Sequence, residues 1–298
     1  MIIQGESVKQ FIRGLVVGGA DIVPGISGGT MLLVLGVYRR LIDSLNSGFS
    51  AVGELIRANP TDARRHLIEV EWTFVIPLAI GIASGILVGA MVILGFIESY
   101  PHESQGLFFG LVAASILVPW QSIQRHGTRE IMIAVLAAIA GFLLSGLPQS
   151  LASDPGLLRV FGSAAVAICA MILPGISGGF LLKAMGMYEV SLDAIRSADV
   201  IYIAVFVLGA ATGLGLFSKL LKYLLDHFND ITMAVLVGLM AGALRALWPY
   251  LGESGELLGP SSGDPIWSVI VCGVIGFGFV LMLIFAGRRL EETTPHSA

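Results

Sequence analysis

The chain carries one short helix breaker twice. DIVPGISGGTMLLVLGVY begins at Asp21, and 150 residues later the pattern returns as MILPGISGGFLLKAMGMY. Proline lacks an amide N–H and restricts the residue before it, while glycine accepts turns that other residues resist. A helix entering either stretch must stop there. Yet both stretches sit inside apolar sequence. Backbone that leaves a helix at membrane depth has to be satisfied by other protein groups or line a cavity.

The surrounding composition sets that depth. The 298 residues are 55% hydrophobic and 13% charged, against about 25% charged in soluble domains. Apolar runs such as Trp72–Ile97, Ile131–Leu147, Val200–Leu216 and Ile266–Ala286 match the roughly 20 residues that span a bilayer. The chain reads as an all-α polytopic membrane protein. A net charge of −4 argues against a nucleic-acid partner. Cys169 and Cys272 lie in apolar segments, which argues against a disulfide. Near the start, Lys9 and Arg13 precede apolar sequence, but Asp21 and Pro24 interrupt it, unlike a signal peptide.

Alignment of the two breakers organises the rest. At an offset of 150, Pro24 meets Pro174, Ser27 meets Ser177, Gly36 meets Gly186, Tyr38 meets Tyr188 and Asp43 meets Asp193. Beyond them the match continues at 128: Ile80–Gly85 faces Leu208–Gly213, Gly110 faces Gly238, and Trp120 faces Trp248. The change of offset puts 22 extra residues in the first half, in the polar stretch Ser47–Glu71 with Arg57, Arg64 and Arg65. Two halves are therefore expected. The first, 1–150, holds a hairpin at 8–45, an amphipathic insertion at 47–71 and three spans; the second, 151–298, holds a hairpin at 157–195 and three spans. Transporters are often built from such repeats.

The arm Val8–Val23 is about 24 Å of helix, short against a hydrocarbon core of about 30 Å. No polar loop separates it from Thr30–Leu45, so the pair reads as a re-entrant hairpin, and Leu157–Leu173 with Phe180–Ile195 as another. Full spans are expected near 72–97, 106–121, 131–147, 200–218, 232–249 and 266–287. This topology collects Lys9, Arg13, Arg39, Arg40, Arg57, Arg64, Arg65, Arg125, Arg129, Lys219, Lys222, Arg288 and Arg289 on the inside, and leaves Arg159 and Arg196 outside. That bias obeys the positive-inside rule. Both termini are then cytoplasmic. Each half makes an odd number of crossings, so the second is inverted and the hairpin tips meet near the midplane.

The tips suit an anion. Gly25, Gly28 and Gly29 let a ligand approach the backbone, Ser27 and Thr30 supply hydroxyls, and the helix start that follows presents N–H groups with a positive dipole end. Gly175, Ser177, Gly178 and Gly179 offer the same set in the second half. The plainer alternative is a packing kink made of small residues. Three charges inside apolar segments are functional candidates by default. Asp21, whose counterpart is Met171, fits a proton carrier; it also fits an acid capping broken backbone, or one paired with Lys183 or Arg245. Lys183, whose counterpart is Leu33, is placed to neutralise a phosphate or to snorkel, and Arg245 the same near the outer face. Glu98 and Asp226 read as solvated span ends. No cofactor or metal is expected, since the five histidines are scattered through polar loops. Nucleotide-binding, metalloprotease and nucleophile-elbow motifs are absent. Glycines 209, 213 and 215 read as helix packing.

The paired VPGISGGT and LPGISGGF motifs, each followed by Gly-x-Tyr, resemble the polyprenyl-phosphate translocase family (PopT) over nearly the whole chain. The resemblance implies a prokaryotic plasma-membrane protein that returns undecaprenyl phosphate from the outer to the inner leaflet for envelope polymer synthesis, with dependence on the proton gradient. The lipid is then the partner; a homo-oligomer is left open. A rival class is the undecaprenyl-pyrophosphate phosphatases, whose Pro-Gly-x-Ser-Arg-Ser-Gly loop is similar. Here Gly28 and Gly178 stand where that family has its catalytic Arg. A small-anion channel or exchanger is the third reading.

Overall fold

The computed structural model describes residues 2–21, 28–146, 155–174, 178–252 and 255–292. The chain forms α1 (Ile2–Asp21), α2 (Gly28–Val34), α3 (Tyr38–Ile56), α4 (Pro60–Glu69), α5 (Trp72–Ser99), α6 (Pro101–Ser115), α7 (Leu117–Gln121) and α8 (Thr128–Leu144). Then follow α9 (Leu157–Ile172), α10 (Gly178–Ala184), α11 (Tyr188–Arg196), α12 (Val200–His227), α13 (Asn229–Ala243) with a 3-10 turn at Leu244–Leu247, and α14 (Ile266–Glu292). Among the described residues there is no β-strand, only an isolated bridge between Leu251 and Leu257.

This is a multi-pass helical membrane protein. Five segments among the described residues are long and apolar enough to cross a bilayer: Trp72–Gly89, Pro101–Gln121, Val200–His227, Asn229–Leu247 and Ile266–Phe285. The sixth expected span corresponds to α8, which has 17 residues, at the short end of the range for a crossing helix. Two other boundaries differ from expectation. α6 begins at Pro101, where the first helical position tolerates proline, and α12 runs on to His227 because no breaker stops it.

Four helix pairs build the body, and glycine makes each of them. Gly14 and Gly18 of α1 lie on the backbone of Leu78 and Ile82 in α5, while Gly81 and Gly85 of α5 lie on Phe11 and Leu15. Gly209 and Gly213 of α12 rest on Phe161 and Ala165 of α9 in the same way. Gly106 and Gly110 of α6 meet Val269 and Gly273 of α14, and Gly238 and Gly242 of α13 meet Ala134 and Ala138 of α8. At each of these positions a Cβ would run into the neighbouring backbone. In lipid the hydrophobic effect does not drive helices together, so close packing at small residues has to. Residue numbers rise together across every contact, so all four pairs are parallel. The first two pairs join helices 1–99 and 157–227 separately; the other two exchange partners, α6 with α14 and α8 with α13. A core of Tyr38, Ile42, Phe74, Leu78, Leu221, Leu225 and Leu236 draws on both parts of the chain.

Element bounds repeat with the sequence. α2 and α10 share the offset of 150, and α5 with α12 and α6 with α13 share 128 at both ends. The extra residues of the first half become the second half of α3 plus α4, which pack on each other.

The returning arms differ from expectation. Thr30–Leu45 and Phe180–Ile195 are each broken into two helices, because Gly36 (φ +69°) and Gly186 (φ +73°) take the left-handed conformation. Val37 N–H donates to Leu32 O (3.0 Å) and Gly36 N–H to Leu33 O (2.9 Å); Met187 donates to Leu182 O (2.7 Å) and Gly186 to Lys183 O (3.0 Å). These are paired Schellman stops. α1 is also longer than the arm inferred from sequence. Its 20 residues make about 30 Å, so length alone does not keep it from crossing.

Candidate functional site

Each hairpin is held at two places. At the tip of the first, Gly28 N–H donates to Asp21 Oδ1 at 2.5 Å. At its mouth, Arg40 reaches back to Glu6 (3.4 Å), and also grips Glu71 at the start of α5 (2.5 Å) while stacking 4.3 Å over the Phe74 ring. Arg40, near the start of α3, thus ties the first turns of α1 to the start of α5. The second hairpin repeats the geometry with different chemistry. Met171 lies against Gly178, and Arg159 at the start of α9 donates to Met185 O (2.9 Å) at the end of the return.

The asymmetry at the tips is chemical. A Cβ on Gly28 would meet the Asp21 carboxylate at 2.7 Å, and one on Gly178 would meet the Met171 side chain at 2.5 Å. The same geometric position thus holds a carboxyl group in one hairpin and a thioether in the other. Enclosure differs as well. Gly28 through Leu33 are all buried, and α2 touches α6, α7, α9 and α14. In α10, Leu181, Leu182, Lys183 and Ala184 are only half-buried, and the packing is against α9 and α11.

Of the expected site residues, the structure brings together Asp21 and Gly28, next to Gly29 and Thr30 in the buried first turn of α2. Gly178 and Gly179 begin α10. Gly25, Ser27, Gly175 and Ser177 lie outside the described residues. Lys183 stands 4.8 Å above the Tyr188 ring. Arg245 donates to Phe142 O (3.2 Å) and Gly255 O (3.3 Å) and packs 4.6 Å from the Phe142 ring, leaving a buried Nε without a partner. It ties the end of α8 to the loop that follows the 3-10 turn. Among the described residues Asp21 makes no ion pair with Lys183 or Arg245. Its carboxyl accepts from the Gly28 backbone.

Sequence reasoning missed the charged end. Asp226 is exposed as expected, and it also pairs with Arg39 and with Lys222 (3.2 Å), while Lys222 binds Asp43 (2.5 Å). The charges were visible in the sequence; their convergence from α3 and α12 was not. Among the described residues no three His, Cys, Asp or Glu side chains converge as a metal ion requires.

Comparison with known proteins is consistent with the membrane fold. The family model described as undecaprenyl phosphate translocase-like matches residues 17–260. A polyprenyl-phosphate transporter of Vibrio cholerae is 33% identical over 244 residues, covering 82% of this chain and 78% of that one. A polyprenyl-phosphate transporter of Staphylococcus aureus is 29% identical over 260 residues, covering 80% and 86%. No solved structure matches.

Proposed function

The chain belongs to the undecaprenyl phosphate translocase-like family, and from that premise we propose that it carries polyprenyl phosphate from the outer to the inner leaflet of the plasma membrane. The isoprenoid tail can stay in lipid throughout. The phosphate cannot, because a charge costs several kcal/mol or more at the bilayer centre. A transporter for this lipid therefore needs an anion site at depth, reached from each side in turn.

One observation carries the reading. At the first tip a backbone donor already faces a carboxyl oxygen, since Gly28 N–H donates to Asp21 Oδ1. A backbone that accepts a carboxylate there has the polarity to accept a phosphate. In the proposed site, Gly25, Ser27, Gly28, Gly29 and Thr30 serve from one hairpin and Gly175, Ser177, Gly178 and Gly179 from the other. Lys183 and Arg245, neither paired with an acid among the described residues, supply positive charge. Asp21 is the coupling group: ionised, it competes with phosphate for Gly28; protonated, it yields. Inward proton flow then drives lipid return.

The inverted arrangement belongs to this proposal, with halves 1–150 and 151–298 and the first hairpin entering from the cytoplasm. Its support is directional. Arg40 meets Glu71 at the start of α5, while neighbouring Arg39 meets Asp226 at the end of α12, the helix equivalent to α5. A phosphatase is disfavoured because Gly28 and Gly178 occupy the positions of that family's arginine.

The deciding experiment follows labelled undecaprenyl phosphate between leaflets of proteoliposomes, with and without a pH gradient, while monitoring free phosphate. Protein-dependent movement without phosphate release is expected. Phosphate release without movement would replace this reading with the enzymatic one.

A further inference from the structure

Three contacts leave the first two turns of α3 for the far part of the chain. The Tyr38 hydroxyl donates to Ile172 O at 3.1 Å, at the last residue of α9 before the second breaker. Arg39 pairs with Asp226, and Asp43 with Lys222 at 2.5 Å. Further along, the Phe49 ring lies against Gly215. Numbers rise on α3 as they fall on α12, so the two helices run antiparallel with their charges in register.

We propose that Tyr38–Asp43 is a clamp that holds the second hairpin and α12 shut against the first hairpin at the charged end, with Tyr38 the positioning residue for the second tip. The clamp rests on the transport reading, in which this end is cytoplasmic and must open to release lipid.

Tyr38 is 2% exposed, so its hydroxyl must find a partner inside the protein, and it finds one on the opposite hairpin. The ion pairs are weak by design of position: Arg39 is 54% and Lys222 35% exposed, and exposed pairs contribute little each. A contact set of this kind can break within a transport cycle. The equivalent positions cannot form a second clamp. There Arg39 becomes Glu189, Asp43 becomes Asp193, Lys222 becomes Leu94 and Asp226 becomes Glu98, three acids with no base. Tyr188, the counterpart of Tyr38, lies under Lys183 of its own hairpin. The clamp therefore marks one face only, and it closes that face in this structure.

Cys169 provides a reporter that needs no lipid. It lies one turn before Ile172 on α9, with Sγ 3.6 Å from Gly213 O. The chain has 2 cysteines, so Cys272→Ser leaves Cys169 as the sole thiol. In that background Tyr38→Phe, which keeps the buried ring, should raise the maleimide labelling rate of Cys169 by about 2- to 10-fold, the range of one net hydrogen bond. The exposed pair Arg39→Gln with Lys222→Gln should raise it also, without touching the core. Tyr188→Phe should leave it unchanged. Parent-like labelling in both Tyr38→Phe and the Arg39/Lys222 variant overturns the clamp, as does an equal rise in Tyr188→Phe. A clamp upheld by labelling in a protein that moves no polyprenyl phosphate would stand, while the transport reading would fall.

Discussion

Asp21 and Gly28 meet across the first breaker as acceptor and donor, at 2.5 Å, and 150 residues further on Met171 and Gly178 meet in the same geometry with no carboxylate between them. One backbone device is thus furnished with an acidic side chain in one copy and a thioether in the other.

The first prediction separates the charge of Asp21 from its hydrogen bond. Asn keeps a side-chain oxygen that can accept from Gly28 N–H, whereas Ala removes the acceptor and leaves a buried donor, at a cost of about 1–3 kcal/mol. Asp21→Asn should keep the fold and lipid exchange but lose the response to a pH gradient; Asp21→Ala should also lower thermal stability. A full gradient response in Asp21→Asn, measured in proteoliposomes, would reduce Asp21 to a cap.

The tips themselves come next. A Leu side chain at Gly28 would drive into the Asp21 carboxylate, and at Gly178 into Met171. Both variants should nearly abolish lipid-phosphate binding, and Ser27→Ala and Ser177→Ala should each weaken it. Binding measured by titration with a short-chain polyprenyl phosphate tests the set; unchanged affinity in all four variants removes the shared site.

Helix packing gives a prediction about stability alone. Gly18 of α1 and Gly110 of α6 touch backbone that cannot move aside. Gly18→Val and Gly110→Val should each destabilise by about 1–3 kcal/mol, the usual cost of overpacking, read as a lower unfolding temperature in detergent. Gly53→Ala, with nothing within 4 Å of the added Cβ, should be tolerated.

Topology is checked by labelling. Single cysteines at Thr61, at the start of α4, and at Gly259, in the loop before α14, both lie at exposed positions. Under the proposed inversion Thr61→Cys reacts from the cytoplasm and Gly259→Cys from outside. Reaction of both with an impermeant reagent from one face would contradict it.

The sequence by itself determined the membrane class, the two breakers and their offsets. Those rest on composition and on residues whose backbone preferences are local: Pro24 and Pro174 stop a helix wherever it lies. It also placed Gly36 and Gly186 in register, but not their left-handed stops, since a lone glycine within an apolar arm reads equally well as packing. What only the tertiary structure decided were the partners. Asp21 had no partner legible in the sequence, and the fold set it against the Gly28 N–H. Arg245 had no partner legible in the sequence, and the fold brought Phe142 O and Gly255 O to its guanidinium. Asp226 is exposed as expected, but only the fold brought Arg39 to it from 187 residues away. Local preference acts within a few residues of itself, whereas an ion pair or a buried hydroxyl bond depends on which helices share a groove. That choice was made by glycines such as Gly18, Gly85 and Gly213, whose missing side chains mark where another backbone is to lie without saying whose.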